Sequence, residues 1–280
     1  MSYQVEEKNI SDYRNYLVRE EREKGTIQKY MRDIHVFLKW LGKQDLSKEL
    51  VLKWKEALCE KEYAASTVNS MLSAVNGFFQ FMGWTELRLK FLKIQNRTFR
   101  DQEKDLCRRE YERLLSAARQ QGKERLSLLM ETICGTGIRV SEVKNITLEA
   151  VKKGRAEISM KGKNRIILIS NKLQRKLLLY AKKQKIVSGA IFLTEKGNIL
   201  SRQQIWQEMK DLCKKAGVER SKVFPHNLRH LFATVFYAAC KDIVKLADVL
   251  GHSSIETTRI YLISTGEEHM KQLDGLGLVQ

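Results

Sequence analysis

A single proline, Pro225, in a chain of 280 residues is the feature that most constrains the fold. Proline lacks a backbone N–H and clashes with the preceding helical turn, so a chain nearly free of it can run in long helices. Apolar spacing supports that choice. Thr26 to Leu41 places Ile27, Met31, Ile34, Leu38 and Leu41 on one helical face, with Thr26 a candidate N-cap after Gly25. Ser66 to Met82 repeats the pattern with Val68, Met71, Leu72, Val75, Phe79 and Met82, and Gly83 stops it. Helices also fit Ser11 to Lys24 and Ser47 to Lys61. Residues 1–95 therefore read as a small helical bundle.

Residues 96–105 are polar, charged and without periodicity, which predicts a linker to a second domain over 106–280. That domain is predicted to be mostly helical, with Glu110 to Gln120, Leu126 to Cys134, Ser201 to Ala216, Pro225 to Cys240 and Ile243 to Leu250 as helices. Ala156 to Ser170 alternates apolar and polar residues around Lys161-Gly162-Lys163-Asn164, the pattern of a β-hairpin. The predicted fold class is mainly α with a small antiparallel β-sheet, as a helical bundle followed by a mixed α/β domain.

Charge narrows the partner. Lys and Arg number 51 against 33 Asp and Glu, a net +18. Such an excess favours a polyanion, either nucleic acid or an acidic membrane surface. No apolar run approaches the ~20 residues that span a bilayer, and the polar, acidic N-terminus is no signal peptide, so nucleic acid remains. Both halves are basic and could both touch DNA. The five cysteines are scattered without a CxxC pair, which argues for reduced thiols in the cytoplasm.

Five short stretches offer chemistry, each with an ordinary alternative. Gly135 to Glu142 sets Arg139 where a Gly-rich turn enters a helix, suiting a phosphate; taken alone it reads more readily as a helix cap with a solvated arginine. Lys161 and Lys163 at the hairpin tip read as solvated lysines when taken alone. His226, Arg229 and His230 share a helical face. The His226–His230 spacing suits zinc, but no HExxH glutamate or clear third ligand accompanies it, so no metal is expected. His252 follows Gly251, a helix stop. Tyr261 stands in a short segment beyond and reads alone as core or surface filler.

Order and spacing give these residues their weight. Arg139, Lys161, His226-x-x-Arg229, Leu250-Gly251-His252 and Tyr261 follow one another as the motifs of the tyrosine recombinase (phage integrase and Xer) family do. The resemblance covers about residues 105–265, and more loosely the N-terminal bundle, which resembles the family's SAM-like core-binding domain. It implies a site-specific recombinase that breaks and rejoins DNA for integration, excision or dimer resolution. By resemblance, Arg139, Lys161, His226, Arg229 and His252 surround a scissile phosphodiester and Tyr261 attacks it, leaving a 3′-phosphotyrosyl link. Two guanidiniums can neutralise the charge gained by the nonbridging oxygens. A phenol of pKa near 10 needs activation, by His226 as base or by the cationic cluster favouring the phenolate. Lys161 would protonate the departing 5′-oxygen and His252 would donate to a nonbridging oxygen. Glu142 would orient Arg139 or a neighbouring amide, and His230 would support the site from its helix.

The conserved bond energy removes the need for ATP, and no cofactor is expected. The implied partners are double-stranded DNA carrying core sites and further copies of the chain in a tetramer, with or without a second recombinase. The apolar tail around Met270, Leu273, Leu276 and Leu278 is expected to dock on a neighbouring protomer. The bundle begins close to Met1, as in the simpler Xer arrangement without an arm-binding domain. A decayed DNA-binding factor or a topoisomerase on the same scaffold are the competing readings.

Overall fold

The computed structural model describes residues 3–94, 104–160, 163–252, 254–261, 270 and 273–276, with the side chains of Met160 and Lys163 left aside. The chain divides into two units, 1–96 and 97–280.

The first unit is a four-helix bundle: α1 (Glu7–Arg19), α2 (Lys24–Leu41), α3 (Lys48–Glu60) and α4 (Ala65–Phe81). Ile34 and Phe37 of α2, Val51 and Trp54 of α3, and Leu72, Phe78 and Phe79 of α4 are buried together. Each such side chain contributes roughly 1.5–3 kcal/mol when withdrawn from water. Phe37 meets Trp54 and Phe79 edge-to-face, at ring separations of 4.8 and 5.9 Å. Two asparagines of α4 hold the chain that leaves the bundle. Asn76 bonds both backbone groups of Leu89, and Asn69 both of Leu92, at 2.7–2.9 Å.

Two predicted boundaries moved. The first helix stops at Arg19, because Glu21 takes a left-handed φ of 53° that ends the turn. The second begins at Lys24 behind Glu23, so Gly25 and Thr26 lie inside its first turn and Thr26 caps nothing. Ser47 does cap α3, its hydroxyl accepting from the Leu50 amide at 3.3 Å.

The second unit is mainly helical with one two-stranded antiparallel sheet. In chain order it comprises α5 (Arg108–Gln120), α6 (Glu124–Thr136), a 3-10 segment (Val140–Asn145), α7 (Leu148–Lys152), β1 (Arg155–Met160), β2 (Lys163–Leu168), α8 (Asn171–Lys183), α9 (Arg202–Lys210), α10 (Cys213–Ala216), α11 (Pro225–Cys240), α12 (Ile243–Leu250) and α13 (Ile255–Arg259). The centre is α6, whose Leu126, Leu129, Met130 and Ile133 are buried and which packs against α5, α8, α9 and α11. Pro225 stands in the first turn of α11, where its missing N–H costs no helical bond.

The predicted hairpin forms, with Ile158 opposite Arg165 and Met160 opposite Lys163. Its tip, Lys161-Gly162, lies outside the described residues. The single helix predicted over Ser201 to Ala216 is two, interrupted at Asp211 and Leu212. Helix α8 was not anticipated, although Leu173, Leu177, Tyr180 and Ala181 form its buried face.

Candidate active site

The end of α12 organises the site. A helix C-terminus leaves carbonyls without intrahelical partners and carries about half a negative charge. Gly251 ends α12 in the left-handed region, φ 62°. Three successive carbonyls there receive three arginines from three other elements. Val249 accepts from Arg165 Nη2 at 2.9 Å, Leu250 from Arg229 Nη2 at 2.8 Å, and Gly251 from Arg139 Nη2 at 3.2 Å. Arg229 Nη1 also donates to the Gly137 carbonyl.

Arg139 stands just after the left-handed turn at Gly137 and heads the 3-10 segment rather than an α-helix. A Cβ at Gly137 would lie 2.5 Å from the Phe232 ring, so that turn also needs the missing side chain for space. Glu142, 3% exposed, holds Arg139 twice, accepting from its backbone amide and its Nη1, each at 3.0 Å. The second oxygen of the same carboxylate accepts from Arg165 Nη1 at 3.1 Å. Arg229 is 3% exposed while the Arg139 side chain is 40% exposed, so one guanidinium is sealed and the other opens to solvent.

The charges do not balance locally. Arg139, Arg165 and Arg229 face one carboxylate and one helix dipole. Arg229 is held below the ordinary guanidinium pKa by burial first and then by Arg139, with Tyr261 acting the other way. Isolated buried cations are costly, so such a cluster is built to receive an anion.

His252 follows directly. A guanidinium can only donate, so the contact of Arg229 Nη2 with His252 Nε2 at 2.9 Å makes that nitrogen the acceptor. The proton therefore sits on Nδ1, which donates to the Thr258 hydroxyl at 2.9 Å, and Thr258 is fully buried. Burial, then Arg229, Arg139 and Arg165, push the His252 pKa down to about 4. In this arrangement His252 Nε2 receives a hydrogen bond instead of offering one to a phosphate oxygen, as the sequence had suggested.

A pH effect on folding follows from that shift. The unfolded imidazole titrates near 6.5 and the folded one near 4. The unfolded state thus binds the extra proton between these values, and stability is whole above pH 6.5 and falls as pH drops toward 4. The melting temperature is expected to decline more steeply from pH 7 to 5 in the native chain than in His252→Gln. Parallel slopes would contradict the depressed pKa.

His226 is exposed on the first turn of α11, and burial of part of its ring, with Arg229 beside it, lowers its pKa. Tyr261, 4% exposed, packs in a small cluster with Ala233, Leu246 and Leu250. Its ring lies 6.0 Å from His252, nearly parallel, and 4.8 Å from His230. His230 Nδ1 is 3.6 Å from an Asp105 oxygen. Arg139, Arg229, His252 and Tyr261 are thus brought together, with His226 at their margin.

Two members of the cluster were not anticipated. Arg165 is not singled out by the alternating pattern of its strand, but the register puts it on the face of buried Ile158 and Ile167 while Ile166 and Leu168 point out. Reading RIILIS from Ile167 backward in steps of two would have found it. Thr258, three residues before Tyr261, carried no separate signal. Among the described residues no group of three or more His, Cys, Asp or Glu is placed to hold a metal ion, and no helix is long and apolar enough to cross a membrane.

Residues 104–268 match the phage integrase family, and residues 10–86 its N-terminal SAM-like domain. Tyrosine recombinase XerA of Thermococcus kodakarensis is 31% identical over 97% of this chain and 96% of its own length. Tyrosine recombinase XerD of Vibrio cholerae serotype O1 is 28% identical over 89% of this chain and 88% of its own. The backbone resembles that of a lambda integrase dimer bound to a COC′ core site, with a TM-score of 0.74 at 17% identity over 93% of this chain and 77% of that one, a likeness of fold. The chain belongs to the phage integrase family and is a tyrosine recombinase, an enzyme that cleaves and rejoins DNA at specific sites.

Proposed function

We propose that Tyr261 is the nucleophile and that Arg139 and Arg229 hold the scissile phosphate, while His252 donates to a nonbridging oxygen once the phosphate draws Arg229 off Nε2 and the ring proton shifts there, the Thr258 hydroxyl turning to donate to Nδ1. The observation that carries this reading is the convergence of three guanidiniums on the end of α12 with, among the described residues, a single carboxylate paired to them. The Tyr261 oxygen attacks phosphorus and the bond to the 5′-oxygen breaks. The phenol's proton passes to His226, whose lowered pKa leaves it neutral and able to accept at neutral pH. As charge builds on the nonbridging oxygens, Arg139 and Arg229 stabilise it in a partly dry site where each donor is worth more than in water. Reversal with a different 5′-hydroxyl rejoins the strands. The DNA partner carries core sites, the working assembly is a tetramer of this chain, alone or with a second recombinase, and the reaction takes place in the cytoplasm. The N-terminal bundle over 1–95, joined through 96–105 to the catalytic unit over 106–280, contributes a second basic surface.

No metal ion takes part, because the arginines neutralise the charge that metal ions neutralise in many nucleases. On nicked suicide substrates a covalent protein–DNA adduct is expected at undiminished rate in excess EDTA. An adduct lost to the chelator and restored by magnesium would overturn this proposal.

Lys161 is the proton donor to the leaving oxygen, on its position in the Lys-Gly pair of the hairpin. A 5′-alkoxide leaves poorly unless protonated, whereas a 5′-thiolate needs little help. Lys161→Ala is therefore expected to cleave ordinary DNA very slowly and to recover on DNA carrying sulfur at the bridging 5′ position. Lys163→Ala is expected to show a modest defect on both substrates. Rescue of Lys163→Ala alone would mean that the other lysine is the acid, and rescue of neither would make the hairpin's part positional.

A further inference from the structure

Arg165 enters the cluster from an element that carries none of the phosphate-binding arginines, and its contacts run to protein groups. It projects from β2 with its side chain 9% exposed. Nη1 donates to Glu142 Oε2 at 3.1 Å and Nη2 to the Val249 carbonyl at 2.9 Å. Its two termini are therefore spent on two different structures: the carboxylate that grips Arg139, and the helix end that leads to His252.

Glu142 sits between two guanidiniums and divides its oxygens. Oε1 takes Arg139 Nη1, while Oε2 takes the Arg139 amide and Arg165 Nη1. Removing Arg165 would leave that buried carboxylate to one guanidinium, free to turn toward Arg139 and drag its fork away from the phosphate position. At the other end, the stem of Arg165 crosses Gly251 so closely that a Cβ there would lie 2.2 Å from Arg165 Cδ. A side chain at 251 would need both a strained left-handed backbone and the space Arg165 occupies. Glycine at 251 is thus matched to arginine at 165.

We infer that Arg165 is a positioning residue for DNA cleavage, clamping Glu142 and the C-terminal turn of α12 so that Arg139 and His252 face one phosphate. This rests on the reading of Arg139 and His252 as phosphate-binding groups. Arg165 does not itself touch the substrate in this role. Its Nε is buried without a hydrogen-bond partner among the described residues, and burial holds its pKa down to about 10, against the pull of Glu142. An arginine kept under such unfavourable conditions is retained for its two-pronged geometry, which lysine, with one ammonium, cannot reproduce.

The test is single-turnover cleavage at saturating DNA, measured beside the DNA dissociation constant, for Arg165→Met, Arg165→Lys, Glu142→Gln and the Arg165→Met/Glu142→Gln double variant, with Arg139→Ala as reference. Partners that orient reacting groups from behind typically matter about 10–100-fold. Arg165→Met is expected to cleave slower by that factor while its dissociation constant stays within about threefold, because phosphate contacts elsewhere dominate affinity. Arg165→Lys is expected to lose less. The double variant is expected to be about as slow as the worse single one, since residues acting through one network are not additive.

Wild-type cleavage by Arg165→Met, a loss that appears equally in binding, or multiplicative losses in the double variant would each overturn the inference. If Arg165→Met fails to fold, Arg165→Lys decides: a slowed rate with unchanged binding supports the clamp, and a wild-type rate overturns it. Wild-type cleavage by Arg139→Ala would instead bring down the reading of the site, and the inference with it. An inactive Arg139→Ala beside an active Arg165→Met would bring down the inference alone.

Discussion

Arg229→Ala is expected to lose DNA cleavage by at least about a hundredfold to a thousandfold, the usual cost of deleting one donor to a developing oxyanion, and to lose some stability as well. The two effects arise from different contacts. For catalysis, Arg229 is the guanidinium beside both His252 and Tyr261. On the proposed reading, deleting it removes a donor to the phosphate, and it frees His252 Nε2 at once. For stability, the side chain is buried and bonded to the carbonyls of Gly137 and Leu250. Each orphaned carbonyl costs about 1–3 kcal/mol. Against that, Arg229 faces Arg139 and Arg165 across a short distance, and its removal relieves their repulsion and its own desolvation. Carbonyl loss and cavity formation outweigh the relief because the remaining cations keep Glu142 and the end of α12 as partners.

A net loss of about 2 kcal/mol would lower the melting temperature by roughly 4–8 °C in a unit of this size. Domains commonly have about 5–15 kcal/mol in hand, so the variant should be folded at 25 °C and still bind DNA. Cleavage within tenfold of the wild-type rate by a folded Arg229→Ala would remove Arg229 from the phosphate site. Arg229→Lys is expected to resemble alanine in rate, since a single ammonium cannot serve two carbonyls, a histidine and a phosphate together.

How much of this was legible before the structure depends on how each residue earns its place. Arg139, Arg229, His252 and Tyr261 lie at helix ends and turns whose glycines and apolar periods show in the sequence. Gly137 and Gly251 marked the turns, and Pro225 marked the start of α11. Arg165 was hidden because its importance comes from a tertiary neighbour 84 residues away in the chain, the Val249 carbonyl. Local alternation in β2 was also ambiguous, with Ile166 and Leu168 exposed although apolar. The role of Nε2 in His252 was likewise a matter of which donor faced it, and no spacing encodes that. The α1–α2 boundary moved because Glu21 adopts a left-handed backbone that glycine usually marks, so nothing in its identity signalled the break. Lys161 lies outside the described residues and stands on its motif alone.

With Tyr261 the nucleophile as proposed, Tyr261→Phe has the largest expected effect, because it removes one oxygen atom and with it the whole covalent step. Its ring packs among Ala233, Leu246 and Leu250 and beside His252 and His230. Phenylalanine keeps that volume, so folding and DNA binding are expected to stay close to those of the native chain. The direct measurement uses a nicked suicide substrate, on which the cut fragment drifts away and traps the enzyme on DNA. The native chain is expected to accumulate an adduct whose DNA-linked peptide, identified by mass spectrometry, carries its nucleotide on Tyr261. Tyr261→Phe is expected to bind the same DNA and to form no adduct. An adduct formed by Tyr261→Phe, or a nucleotide found on any other residue of the native chain, would contradict the account.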